Sequence, residues 1–435
     1  MKYEQRTFRY DKEVNKIIER LLKNQNQEFL WSWWDVSTYT SYWMSAHILR
    51  ALKAAQDAGF KVDLNLDNIV RKAEYKFEIL RQYEINDADL LNALALWNAK
   101  LNYAKHIHHV DSIIQRKQTE QVLKTPTHHV FTSYGSYNYS LLKDKLLLIE
   151  ARQLVNIPYQ RDSLLRYKKE GIMGDIRFSD KKPYNHWYED ELAVNTVAYR
   201  IVRRDSLLSE MMVPMQMYFI AARKNERWNT YHSSSVLMSV LPDLLAGGVS
   251  KEHQASITVR GKVNETIEKF PYWLELEPDE DVSIQKDSGL PLYYMQYVEE
   301  RVTKAKTGVE GFTIKTSFPN DQTTLEAGKP VALTVEVDVK KDAAQNYVMI
   351  EVPIPGACSY ADKGKQYNRV ETHREYFKER TVIFCEEMKT GKYIFVIPLL
   401  PRFTGRYILN PAQVSLMYVP VVNANTDLKS IAVID

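Results

Sequence analysis

The side chains best suited to chemistry are two histidine groups, two cysteines and a few acidic or hydroxyl clusters. His106, His108 and His109 form the densest histidine group. On a helix, positions 106 and 109 share a face, which joint metal ligation needs. Further ligands would have to come from His128-His129, and no other cluster offers them. A solvated helix end is the expected role, and no metal ligand is assigned. Asp87 and Asp89 have the look of a carboxylate pair in a helical enzyme. Terpene cyclases need a denser aspartate run, and zinc prenyltransferases need an Asp, Cys and His set. The helical half of the chain contains no Cys, which removes the zinc version. Helix capping is the role expected of Asp87 and Asp89.

Glu277, Asp279, Glu280 and Asp281 crowd around Pro278. A calcium loop would show a turn glycine and regular ligand spacing, and this stretch has neither. It is expected to be a solvated loop. His232-Ser233-Ser234-Ser235 invites a nucleophile, but no glycine elbow flanks the serines, so close helix packing is expected instead. Cys358 and Cys385 are the two cysteines. No Cys-x-x-Cys occurs, so no zinc or redox motif of that kind exists. Whether the two pair in an oxidising compartment stays open. No catalytic, cofactor-binding or metal-binding residue is assigned, and no cofactor is implied.

The chain has 435 residues, 45% of them hydrophobic, enough for two or three domains with their own cores. Its 58 Lys and Arg nearly balance its 55 Asp and Glu, for a net charge of +3. That offers no electrostatic case for nucleic acid. Tyr outnumbers Phe by 28 to 14, which suits large contacts between elements. Residues 1–15 are charged and hold no apolar stretch, so a signal peptide is not expected there. No run of about 18 apolar residues marks a membrane helix.

These residues must be positioned by two kinds of element. Up to about residue 250 the period is helical. Tyr42, Ala46, Leu49 and Leu52 share a face, as do Leu90, Leu94, Trp97 and Leu101, and Val194, Val197 and Ile201. Gly59 reads as a helix end and Asp87 as a helix start. Helices are expected to start near Thr38, Asp87, Tyr137, Glu189 and Ser233, a weak repeat of about one helical hairpin. Trp33-Trp34, Trp187 and Trp228 each precede a start rich in small residues. The pattern predicts hairpins in a ring, an α/α toroid. After Gly247-Gly248 the period becomes two. Val331 to Val339 alternates as a strand with one buried face. Residues 347–353, 381–388, 392–399 and 413–419 read as further strands. Lys389-Thr390-Gly391 reads as a tight turn joining two of them. Strands at this spacing predict a sandwich. A short β segment with strands at Ile257–Val259 and Leu292–Tyr297 lies between.

Three stretches resemble the bacterial alpha-2-macroglobulin family. WSWWDVSTYTSYWMSAHILRALKAAQDAG resembles the toroid that carries the family's thioester, and WNTYHSSSVLMSVL resembles a later hairpin of it. SGLPLYYMQYV at 288–298 is similar to the family's Gly-x-Gly-Pro-Leu-Tyr-Tyr signature, with Leu290 in place of a glycine. NYVMIEVPIPGAC and HREYFKERTVIFCEEMKTGKYIFVIPLLPRFTGRYILNPAQVSLMYVP are similar in order and spacing to the C-terminal sandwich. This third match is the most specific.

The resemblance implies a multidomain α + β chain. Residues 1–250 would form the toroid, incomplete at its start. Residues 251–305 would form a CUB-like β segment, and 306–435 a fibronectin-type β-sandwich. It also implies a large extracytoplasmic protein of the periplasm or cell envelope. Such a protein traps proteases: cleavage of a bait region collapses the molecule, and a thioester in a Cys-x-Glu-Gln motif often links to the attacker. Partners would be proteases and further macroglobulin-type domains upstream. Neither Cys358 nor Cys385 is followed by x-Glu-Gln, and Tyr3-Glu4-Gln5 lacks the thiol. The leading expectation is therefore the C-terminal part of a non-enzymatic protease trap, non-covalent in these residues. A fragment beginning inside the toroid is favoured over a lineage without thioester. The alternative is a cell-envelope interaction scaffold. A toroid enzyme acting on isoprenoid or glycan would need a central pocket with convergent carboxylates.

Overall fold

A computed structural model describes residues 2–3, 6–7, 10–33, 40–123, 139–172, 174–180, 182, 190–223, 230–245, 256–261, 264–277, 280–288, 294, 311–341, 347–364 and 370–435. The fold is mixed α + β and multidomain. Two compact units divide it. One holds residues 1–169, 177–219 and 223–247; the other holds 170–176, 220–222 and 248–435.

The first unit is built on helices α1 (Tyr10–Lys23), α2 (Tyr42–Asp57), α3 (Leu66–Glu74), α4 (Asp87–Leu96), α5 (Tyr103–Leu123), α6 (Leu142–Leu154), α7 (Asp162–Leu165), α8 (Glu191–Arg204), α9 (Met212–Ala221), α10 (Thr230–Ser239) and α11 (Leu241–Leu245). Helices α2, α4, α6, α8 and α10 are the inner set. Each packs on the next in sequence order, while α5 lies against α4 and α6. Their first residues fall at or close to the expected repeat. The described part of the expected toroid is thus a serial arc of inner helices. Among the described residues no contact of similar extent leads from α10 back to α2. Inner position explains composition. Every residue from Asp87 to Ala95 in α4 is buried, so the helix has no solvent stripe. On α2, Ala46, Leu49 and Leu52 are buried as one face, and Val194, Val197 and Ile201 are buried on α8.

Local signals set the helix ends. Ser41 caps α2 by accepting from the Met44 N–H. Asp190 caps α8, its Oδ1 accepting from the Ala193 N–H at 2.8 Å. Gly59 ends α2 at φ +92°, where a side chain would be strained. Two expectations are corrected. Helix α4 stops at Leu96, and Asn98 turns the chain at φ +53°, so Trp97 and Leu101 do not continue its face. Asp87 is not a cap. The cap position is Asn86, whose side chain makes no capping bond, and Asp87 is already inside the helix. The motifs at Trp34, Trp187 and Trp228 lie outside the described residues, as do Gly247-Gly248.

The strands are β1 (Lys2–Tyr3), β2 (Arg6–Thr7), β3 (Lys168–Glu170), β4 (Ile176–Phe178), β5 (Ser256–Arg260), β6 (Glu265–Ile267), β7 (Ser283–Ser288), β8 (Phe312–Ser317), β9 (Thr324–Glu326), β10 (Val331–Val339), β11 (Val348–Pro353), β12 (Cys358–Tyr360), β13 (His373–Tyr376), β14 (Arg380–Cys385), β15 (Gly391–Pro401), β16 (Gly405–Leu409), β17 (Gln413–Leu416), β18 (Val419–Asn425) and β19 (Lys429–Ile434). Strands β6-β5-β7 form a small antiparallel sheet that includes the expected strand at Ile257–Val259. The expected strand at Leu292–Tyr297 lies outside the described residues, except Tyr294, which is exposed and in no strand.

The C-terminal strands form three sheets, β12-β15-β10-β8, β13-β14-β11-β17-β18 and β16-β19-β9. Alternation is kept along β10: Leu333, Val335, Val337 and Val339 are buried, and the residues between them are half-buried. They join Ile350, Val352, Ile383, Phe395, Ile397 and Leu399 in one apolar core. The Lys389-Thr390-Gly391 turn joins two consecutive strands, as expected, and takes the chain from β14 in the five-stranded sheet to β15 in the four-stranded one. It is an arch between sheets and not a hairpin, and Met388 beside it is fully buried.

Candidate functional site

The inner helices bring together charges that lie far apart in sequence. Asp89 on α4 meets Arg50 of α2, Nη2 to Oδ1, at 2.8 Å. Its other oxygen lies 3.2 Å from Lys143 Nζ of α6. Arg50 also donates from Nε to Asn92 Oδ1 at 3.2 Å. Asn92 in turn donates from Nδ2 to Glu150 Oε2 of α6 at 3.0 Å. Glu150 accepts a two-pronged contact from Arg200 of α8, both distances 2.8 Å, and a third from Arg204 Nη1 at 2.7 Å. One continuous network therefore crosses four consecutive inner helices.

Burial opposes the charge on both carboxylates, but their cations win. Lys143 and Arg50 hold Asp89 below its ordinary range. Arg200, Arg204 and Asn92 bring Glu150 down to about 2. Both groups are ionised at neutral pH and their oxygens are taken by cations. Neither can serve there as a general acid. Asp87 stands apart. It is paired with the buried Lys76 and accepts from the Glu84 N–H at 2.7 Å. Burial still raises its pKa, against the pull of Lys76. The two aspartates thus pair with cations and do not cap.

A cavity of about 360 Å³ lies in the same unit, lined by Tyr83, Arg116, Lys117, Ser140 and Asp144 among others. Asp89 and Glu150 do not line it. Of the buried carboxylates on α4 and α6, Asp89 and Glu150 are held by cations, whereas Asp144 lines the cavity.

The histidine group is divided by its helix. His106 on α5 is buried, packed on Phe77, with Nδ1 3.1 Å from the Tyr83 hydroxyl and Nε2 3.4 Å from Glu78 Oε1. Burial lowers its pKa more than Glu78 raises it. His109 stacks on Tyr83, and His108 is exposed. Among the described residues no cluster of His, Cys, Asp and Glu could hold a metal. His128-His129 and Asp279 lie outside them. The Glu277 N–H donates to Glu280 Oε2 at 2.8 Å. Ser233 to Ser235 lie on α10.

In the sandwich the two cysteines are free. Burial raises the thiol of Cys358 to about 11 and that of Cys385 to about 12, so both are protonated at neutral pH. The His-Arg-Glu stretch has a structural centre. Arg374 on β13 grips Glu371 at 2.8 and 2.7 Å, and its Nη1 donates to the Val396 carbonyl of β15 at 2.9 Å. That bond ties the five-stranded sheet to the four-stranded one. His373 and Glu375 on either side are exposed.

Sequence reasoning found Asp87 and Asp89 but missed Asn92, Lys143, Glu150, Arg200 and Arg204. A signal was present. A charged residue in a helix with no polar face must be buried, and a buried charge needs a partner.

Set beside known proteins, the chain has a helical arc and a C-terminal sandwich in a mixed α + β architecture. Residues 300–420 match the family described as the bacterial Alpha-2-macroglobulin MG10 domain. The resemblance to the bacterial alpha-2-macroglobulin family, read from those strands, is borne out by this match. Among solved structures, trypsin-activated alpha-2-macroglobulin from Escherichia coli is similar over 96% of this chain and 29% of that one, at 13% identity and TM-score 0.48. The native Escherichia coli protein from domain MG7 to the C-terminus is similar over 98% and 68%, at 13% identity and TM-score 0.36. Salmonella alpha-2-macroglobulin reacted with methylamine is similar over 98% and 28%, at 13% identity and TM-score 0.31. The chain spans less than a third of the first and third of these. No curated protein matches it.

Proposed function

We propose that this chain supplies the helical scaffold and C-terminal sandwich of an extracytoplasmic protease trap, with no enzymatic activity of its own. In this reading residues 1–250 are the toroid, 251–305 the CUB-like segment and 306–435 the sandwich. The observation that carries it is the match of residues 300–420 to the bacterial MG10 domain. The protonated thiols of Cys358 and Cys385 support a non-covalent role for these residues, because acyl transfer requires thiolate character. The ionised, fully paired Asp89 and Glu150 support the absence of acid–base catalysis. Among the described residues no helix is long and apolar enough to cross a membrane.

The test uses the full-length polypeptide incubated with trypsin or elastase. The expected result is compaction by small-angle scattering, with the protease still cutting a small chromogenic peptide but losing activity on casein. Unchanged shape together with unchanged casein cleavage would show that the protein is not a trap.

A further inference from the structure

We propose that the cavity lined by α4, α5 and α6 binds an apolar dipeptide, holding its free ammonium and its free carboxylate on charges of opposite sign. This stands apart from the protease-trap reading. The cavity measures about 360 Å³, at the small end for a ligand pocket. Its lining carries both signs of charge. Arg116 and Lys117 come from α5. The carboxylates come from Glu84, in the segment before α4, and from Asp144 on α6.

Neither cation pairs with either carboxylate. The ion pairs of Arg116 and Lys117 both go to Glu120 on their own helix, at 4.0 and 3.8 Å. Those distances are too long for hydrogen bonds. Their side chains remain 68% and 45% exposed, so a ligand can reach them. Glu84 has no ion pair among the described residues, and its charge opposes that of Asp87 nearby. Asp144, which is buried, adds to the negative part of the lining. Opposite charges therefore line one cavity without meeting. A ligand of both signs satisfies them together, whereas a simple anion or cation is repelled by half of them.

The rest of the lining suits a short peptide. Ile85, Ile113 and Leu141 supply its apolar part. Ile85 and Ile113 are only half-buried, which leaves surface for a ligand's aliphatic side chain to cover. The Asn86 side chain makes no capping bond, and its amide can both donate to and accept from a peptide group. Charge spacing separates a dipeptide from a free amino acid. A single carbon separates the charges of an amino acid. A dipeptide places its two Cα atoms about 3.8 Å apart and its charges further still. Lining charges that do not pair with each other call for the wider separation. Each further residue of an extended chain would add about 3.3 Å and carry one end out of so small a cavity.

The experiment titrates leucyl-leucine into the whole chain and follows binding by saturation-transfer NMR. The Kd is expected to be on the order of 1 mM. Acetylating the amine or amidating the carboxylate should each weaken binding about tenfold. Arg116→Gln with Lys117→Gln should weaken the free dipeptide about tenfold and leave the amidated one unaltered. Glu84→Gln should weaken the free dipeptide and leave the acetylated one unaltered. Circular dichroism confirms that the variants fold, and the capped peptides test the unsubstituted chain. No saturation transfer at about 10 mM dipeptide would overturn the proposal. So would equal binding of both capped peptides, or unaltered binding by both folded variants. Free leucine binding as tightly as the dipeptide would also overturn it, and would mark an amino-acid site.

Discussion

Arg200 and Arg204 lie one turn apart on α8 and meet over one buried carboxylate, so they contribute unequally to stability. Arg200 makes the two-pronged contact and is the less exposed. Replacing it with Leu strips Glu150 of its principal partner and should cost about 3–5 kcal/mol in urea unfolding. Arg204→Ala leaves that fork intact and should cost only about 1 kcal/mol. Equal costs would mean that the network does not share charge as its geometry implies. His106 gives the residue scale a pH signature. Its folded pKa lies below the ordinary value of 6.5, so the unfolded chain binds its proton first. Stability should therefore fall as pH drops through 6.5 toward the folded pKa. His106→Asn should flatten that slope in thermal melts between pH 7 and 5, even if it lowers the midpoint throughout. At this scale the sequence was least informative. The aspartates stood out by spacing, yet the partners of Asp89 are 39 and 54 residues away and could be found only once α2, α4 and α6 were side by side.

At the scale of elements, periodicity carried most of the fold. The inner helices and β10 are legible because each has one environment along its length. Along β10, Val335→Ala should cost about 2–4 kcal/mol, because it empties space in the sandwich core. Thr334→Ala on the half-buried face should cost about 0.5 kcal/mol or less. Chemical denaturation of both variants checks the assignment, and a reversed order would put the strand's other face in the core. The arch at Lys389–Gly391 was not legible in the same way. A short turn between two alternating strands has the same local sequence in a hairpin and in a crossing between sheets. Only the partners of β14 and β15, set by distant β11 and β10, tell them apart.

Across the whole molecule, acid should distinguish the two compact units. In the helical unit, Glu28, Asp89, Glu150 and Asp205 all have pKa values below their ordinary ones, held there by Lys72, by Arg50 with Lys143, by Arg200 with Arg204, and by Arg161. Stability from such groups is present above their unfolded values of 4.5 and 3.8. It is lost as pH falls through those values toward the folded ones. Asp87 runs the other way, because its raised pKa makes protonation a partial relief. These lowered groups, with Glu78 held down by Lys105 beside them, outnumber it. In the sandwich the shifted groups are Cys358, Tyr360, Arg374 and Cys385, all raised and all titrating in the alkaline range. Its core is drawn from aliphatic strand residues whose burial does not depend on pH. Between pH 5 and 3, backbone hydrogen exchange corrected for its intrinsic pH dependence should therefore rise first in α4, α6 and α8. Protection along β10, β11 and β15 should persist longer. Simultaneous loss in both units, or loss beginning in the strands, would show that the buried carboxylates do not govern acid stability.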